Sequence, residues 1–138
     1  MGKGSNERFV QGTDKCDLLI VDDEPSFRLG LEAYFKQEMP DIKIKLAEDG
    51  EQAYELVSKF RPRVVWTCIR MPRMNGLTLI ELIKKNTVTK NIKVIIYTAY
   101  HSAEIKNQAL GLGADVYLYK GDDGQLEEGL KKLTNFLK

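Results

Sequence analysis

The stretch Val64-Val65-Trp66-Thr67-Cys68-Ile69-Arg70-Met71-Pro72-Arg73-Met74-Asn75-Gly76 decides how the chain is read. Its first four residues form a short apolar run rich in β-formers. The Met-Pro and Asn-Gly pairs that follow are turn signals, so a buried strand empties here into a loop. Loops at strand ends are where α/β proteins keep their chemistry. The residue at the mouth of this strand is Cys68, so its meaning governs any functional reading.

Working outward, the same grammar repeats. Upstream, Leu18-Leu19-Ile20-Val21 is a continuous apolar run ending in Asp22-Asp23, as in a strand buried on both faces. Pro25 opens a first helix, where its missing donor costs nothing, with Phe27, Leu31, Tyr34 and Phe35 as its apolar face. Ile42, Ile44 and Leu46 alternate with lysines, which predicts a half-exposed strand near a sheet edge. Asp49-Gly50 begins a second helix with Ala53, Leu56, Val57 and Phe60 inward, and Pro62 separates it from the central strand.

Downstream, a third helix carries Leu77, Leu79, Ile80 and Ile83, and a polar connection follows. Ile92 to Tyr97 is a strand ending at Thr98. Ser102 caps a fourth helix through Leu110, which Gly111 and Gly113 stop. Val116 to Tyr119 is a fifth strand, ending in Lys120-Gly121. A last helix is expected from Asp122, with Leu126, Leu130, Leu133 and Leu137 on one stripe and Gly124 and Gly129 weakening it. Residues 1–15 are polar and read as a flexible N-terminal tail whose one apolar pair is Phe9-Val10; residues 16–138 form the domain.

Composition bounds the function. At 138 residues the chain makes one domain with a proper core. The formal net charge of +1 gives no global field for nucleic acid or a membrane surface. Without a long apolar run or a signal-peptide core, a cytoplasmic location is expected. Cys16 and Cys68 are expected at opposite ends of neighbouring strands, too far apart for a disulfide, and read as free thiols.

Five strand–helix units in strict alternation predict an α/β fold, a parallel sheet with helices on both faces. The site of such a sheet lies beyond the carboxyl ends of its strands. Asp22, Asp23, Cys68, Thr98 and Lys120 all fall on that rim, which gathers two carboxylates, a thiol, a hydroxyl and an ammonium. His101 reads as an exposed loop residue, Trp66 as core, and Lys131, Lys132 and Lys138 as a solvated helix face.

These motifs carry a resemblance. From about Asp17 onward the chain resembles the receiver domain of two-component response regulators. The match rests on Val21-Asp22-Asp23-Glu24-Pro25, Met71-Pro72-Arg73-Met74-Asn75-Gly76, Thr98-Ala99, and Gly113-Ala114-Asp115-Val116-Tyr117-Leu118-Tyr119-Lys120. The resemblance implies a single doubly wound, flavodoxin-like sheet of strand order 2-1-3-4-5. It implies phosphorelay signalling, in which a histidine kinase phosphorylates an aspartate at the end of the third strand. It also implies Mg²⁺ held by Asp22, Asp23 and the backbone carbonyl of Arg70, a phosphate-sensing Thr98, a phosphate-binding Lys120 and a switch aromatic at Tyr117. Partners, a histidine kinase or an output protein, would meet the face formed by the fourth helix, fifth strand and fifth helix. A homodimer is also open, and no enzymatic activity is implied.

The departures matter as much. Cys68 stands at the phosphoacceptor position, Thr67 where an apolar residue is usual, Arg63 where an acidic residue is common, and Gly121 where proline follows the lysine. A thiol cannot form an acyl phosphate, so the usual phosphorylation is expected to be absent. Losing a carboxylate should weaken any Mg²⁺ site, so no cofactor is required, and Lys120 could then pair directly with Asp22 or Asp23. Two alternatives stand beside this reading: an ordinary phosphorylatable receiver altered by hand at position 68, and a cysteine-based redox or soft-metal sensor.

Overall fold

The computed structural model describes residues 15–100 and 102–138. The tail with Phe9-Val10, and His101, lie outside the described residues. The elements alternate: β1 (Leu18–Val21), α1 (Pro25–Glu38), β2 (Ile44–Ala47), α2 (Gly50–Phe60), β3 (Val64–Thr67), α3 (Gly76–Lys85), β4 (Lys93–Thr98), α4 (Ala103–Gly111), β5 (Val116–Tyr119) and α5 (Gln125–Phe136). All strand pairings are parallel, in the order β2-β1-β3-β4-β5. The alternation predicts the parallel sheet, and the strand order is the doubly wound one that the resemblance implies.

Side-chain alternation along the strands divides the core in two. Leu19, Val21, Val65, Val94 and Ile96 pack with Ala53, Val57, Leu79, Ile80, Ile83 and Ala109, on the side of α2, α3 and α4. Leu18, Ile20, Trp66, Ile95 and Leu118 pack with Leu31, Phe35 and Leu133, on the side of α1 and α5. The central strands are buried on both faces, which explains their unbroken apolar runs. Strand β2 is at the sheet edge and half-buried, as its alternating lysines predict.

Two expectations need correcting. Phe27 is not on the buried face of α1: it is 41% exposed, because that helix turns only Leu31 and Phe35 fully inward. The last helix starts at Gln125 rather than Asp122, since Gly124 adopts a left-handed φ of 82° that an α-helix cannot contain. Gly129 has a packing role inside that helix: a Cβ there would lie 2.4 Å from the indole of Trp66 and 2.7 Å from Leu118. The helix gives up intrinsic propensity at this position and gains close approach to the sheet.

Both cysteines are buried and free. No helix among the described residues is long and apolar enough to cross a membrane.

Candidate functional site

The sheet hydrogen-bond ladder runs one residue past several strands, and this places the site. Asp22 N–H donates to the Ala47 carbonyl (3.1 Å), Cys68 N–H to Val21 (3.1 Å), and Lys120 N–H to Thr98 (2.7 Å). The residue following each strand is thus held by its neighbour's backbone. A cleft of about 410 Å³ lies there, and its lining includes Asp22, Asp23, Cys68, Arg70, Thr98 and Lys120. Every pocket residue expected from the sequence is therefore brought to one cleft except Tyr117, which sits beside it.

Asp22 is the electrostatic centre of this cleft. It is 2% exposed, and a carboxylate so deep needs partners for both oxygens. Oδ1 accepts the Glu24 backbone N–H at 2.9 Å, and Oδ2 accepts Lys120 Nζ at 2.8 Å. The ammonium of Lys120 also lies 3.8 Å from the centroid of the Phe27 ring. This explains the position of Phe27: its face covers a largely buried cation instead of joining the core. Arg28 Nη1 donates to the Asp22 carbonyl at 2.7 Å, fastening the start of α1 to the end of β1.

Cys68 is 6% exposed, and its thiol donates to the Arg70 carbonyl at 3.6 Å. Burial pushes the thiol up to about 12, and the negative charges of Asp22 and Asp23 push the same way. A hydrogen bond from the Asp23 backbone and the charge of Lys120 oppose the shift without cancelling it. Cys68 is therefore a neutral thiol at physiological pH, and the thiolate is the reactive form. Thr67 turns away from the cleft, buried, with its hydroxyl donating to the Cys68 carbonyl at 2.9 Å.

Metal binding can be judged from the donor set. Ligand atoms of Asp22, Asp23 and Cys68 lie within 4.8 Å of one another. Mg²⁺ demands hard oxygens in near-octahedral array, whereas this set offers a protonated thiol and a carboxylate already neutralised by Lys120. The residues fit a hard cation poorly.

On the far wall, Thr98 is buried and its Oγ1 accepts the Tyr100 N–H at 3.0 Å. The Tyr117 hydroxyl donates to the Tyr100 carbonyl at 3.0 Å, and burial raises the pKa of that phenol. The Arg70 guanidinium lies 3.6 Å from the Tyr100 ring centroid.

The loop after Cys68 is gripped from outside the cleft. Asp49 caps α2 by accepting the Gln52 N–H, and its other oxygen accepts Nε (2.9 Å) and Nη2 (2.5 Å) of Arg73. Arg73 has a φ of 68°, a left-handed conformation unusual for arginine, and the Asp49 carboxylate holds it there. Gly76 N–H donates to Ile69, and a Cβ at Gly76 would lie 2.3 Å from the Cys68 carbonyl oxygen. Sequence reasoning missed Phe27, Arg28, Tyr100 and the Asp49–Arg73 pair as parts of the site. Only Asp49 left a signal, as the helix start before Gly50.

The comparisons with known proteins agree with this fold. The chain belongs to the response regulator receiver domain family, whose model matches residues 18–131. It is 32% identical to sporulation initiation phosphotransferase F of Bacillus subtilis, covering 83% of this chain and 90% of that protein. It is 34% identical to a gliding motility regulatory protein of Myxococcus xanthus over 85% of this chain, but spans only 15% of that relative. Among solved structures, it is similar to the signal receiver domain of a DNA-binding response regulator from Colwellia psychrerythraea. That likeness has a TM-score of 0.79 and 28% identity, and covers 88% of this chain and 99% of the other. A LuxR-family response regulator from Staphylococcus aureus gives a TM-score of 0.78 at 27% identity, covering 89% and 99%. The fold and the family are those of the receiver domains of two-component signalling.

Proposed function

We propose that this receiver domain signals through protein–protein contact, with the phosphoryl switch absent because Cys68 occupies the phosphoacceptor position. The observation that carries this reading is the content of the cleft. At the end of β3 stands a neutral, 94% buried thiol where a nucleophilic carboxylate would be required, and beside it Lys120 is committed to Asp22 at 2.8 Å. A protonated thiol cannot attack a phosphoryl donor to give an acyl phosphate. The Lys120–Asp22 pair supplies internally the charge balance that a cation and a phosphoryl group would otherwise provide. Mg²⁺ binding at Asp22, Asp23 and the Arg70 carbonyl is accordingly weak and not needed for the fold.

The partner surface in this reading is the face of α4, β5 and α5. Tyr117, Tyr119, Lys106 and Asp122 line a cleft of about 380 Å³ there, which suits a signalling protein, either a kinase or an output partner. The redox alternative is not favoured, since burial and two carboxylates hold the thiol protonated.

Acetyl phosphate labelling read by intact mass tests the proposal. The protein as it stands should gain no acid-stable or acid-labile 80 Da adduct, the mass of a phosphoryl group. An adduct on the unaltered chain would overturn the reading. An adduct gained only by Cys68→Asp would show that the remaining residues still support transfer. No adduct in either form would show that the departures extend beyond position 68.

A further inference from the structure

Helices α2 and α3 begin with dipeptides of the same kind, Asp49-Gly50 and Asn75-Gly76. In each, the first residue caps its helix: Asp49 Oδ1 accepts the Gln52 N–H at 2.8 Å, and Asn75 Oδ1 accepts the Thr78 N–H at 2.9 Å. In each, the glycine N–H is engaged: Gly50 donates to the Met74 carbonyl at 3.1 Å, and Gly76 to the Ile69 carbonyl at 2.7 Å. Neither glycine can carry a side chain, since a Cβ would lie 2.2 Å from the Met74 oxygen at position 50 and 2.3 Å from the Cys68 oxygen at position 76. Packing thus forces a glycine to follow directly on a carboxyl or carboxamide group.

That juxtaposition carries chemistry. Without a Cβ in the way, the glycine nitrogen can attack the side-chain carbonyl carbon of the residue before it. At Asn75 the Gly76 nitrogen gives its proton to solvent base and bonds to Cγ; the Cγ–Nδ2 bond breaks and ammonia leaves. Water then opens the cyclic imide at either carbonyl, giving aspartate or isoaspartate. Asn75-Gly76 is the only Asn-Gly pair in the chain, and Asn75 is exposed, so base and water reach it. Geometry opposes the ring closure. Thr78 holds the carboxamide over the first turn of α3, Ile69 holds the proton of the attacking nitrogen, and Asn75 ψ is extended at 170°.

We propose that Asn75 is a site of spontaneous covalent modification, deamidation to aspartate or isoaspartate, which the fold holds shut through the two hydrogen bonds flanking its link to Gly76. The two products differ in consequence. Aspartate keeps the main chain and caps as well as asparagine does. Isoaspartate routes the main chain through the side chain and adds one methylene, about 1.5 Å, between residues 75 and 76. Gly76 has no slack against the Cys68 carbonyl, so this product loses both the cap of α3 and the Gly76–Ile69 bond.

Incubating the intact protein at mildly alkaline pH, folded and in denaturant, tests the proposal; each event adds about 1 Da to the peptide holding Asn75. The folded rate should be about thirtyfold below the denatured rate, the scale of two ordinary hydrogen bonds. Thr78→Pro removes the N–H that holds the carboxamide, in a first helical turn where proline is tolerated. It should speed the folded-state reaction about fivefold, the scale of one lost cap, whereas Thr78→Ser keeps the N–H and should match the parent. Equal rates in the folded and denatured parent overturn the proposal without recourse to any variant. So does a Thr78→Pro that keeps its urea midpoint and reacts no faster than Thr78→Ser. An aged sample rich in isoaspartate should unfold at lower urea than Asn75→Asp, and coincident curves would overturn the loss of the cap.

Discussion

Lys120 crosses the mouth of the cleft to Asp22, Nζ to Oδ2 2.8 Å, joining residues 98 positions apart in the sequence. The pair is nearly dry, with side chains 9% and 3% exposed. Such a pair adds little net stability over an apolar equivalent, but removing one partner strands a buried charge. Lys120→Met should therefore destabilise the domain by about 3 kcal/mol. Adding Asp22→Asn should recover part of that loss. Urea denaturation of the single and double variants measures both; equal stability of Lys120→Met and the parent would contradict the pairing.

The buried thiols set an alkaline limit. Cys68 is held near 12 and Cys16 near 11 by burial, whereas an unfolded cysteine ionises near about 8.5. Between these values the folded state binds more protons than the unfolded state, so stability falls as pH rises. Their contribution is complete below about pH 8.5 and is lost progressively toward pH 12. Cys68→Ala should flatten the decline in urea midpoint between pH 8 and pH 10 relative to the parent. Parallel declines would mean that the thiol ionises normally in the fold.

Asp49 sets an acid limit. The Gln52 N–H it caps is the main influence lowering its pKa, and Arg73 adds to it against the cost of burial. A carboxylate so depressed stabilises the fold above its unfolded pKa, and that contribution is lost as pH falls through the folded value. Asp49→Ala should cost about 1–2 kcal/mol, the value of a lost N-cap, and should remove part of the stability change below about pH 4. Thermal melts at pH 7 and pH 3 give both quantities. An unchanged melt at pH 7 would deny Asp49 its capping role.

Gly129→Ala separates propensity from packing. Alanine gains about 1 kcal/mol of helix propensity, but its methyl would stand 2.4 Å from the Trp66 ring. The ring is locked edge-on against Phe35 and packed against Tyr97, so it has no room to yield. The substitution should be net destabilising by about 1–2 kcal/mol and should change Trp66 emission as α5 shifts outward. A stabilised variant with unchanged emission would show that the helix slides at no cost.

Most of the architecture was legible because four strands are short apolar runs, β2 alternates apolar residues with lysines, and each helix repeats its apolar residues at helical spacing. The rim residues were legible for the same reason, since fixing where β1, β3, β4 and β5 end fixes Asp22, Cys68, Thr98 and Lys120. What lay hidden depends on side-chain reach across space. Phe27 has the spacing of a core residue, and only the position of Lys120 shows why its face is turned toward the cleft. Arg70 and Tyr100 stand 30 residues apart, with no periodicity linking them. The direct Lys120–Asp22 pair was foreseen as one of two options, and the Glu24 N–H on the other Asp22 oxygen accompanies that choice. The late start of α5 was missed because a glycine's left-handed φ is a backbone choice with no sequence period.

The backbone at position 68 is held by groups that do not involve its side chain. Its N–H is bonded to Val21, and its carbonyl accepts the Thr67 hydroxyl and packs against Gly76. The position works as a socket whose shape survives a change of plug. A substitution at this position can change the chemistry of the cleft while the backbone that frames it stays as it is.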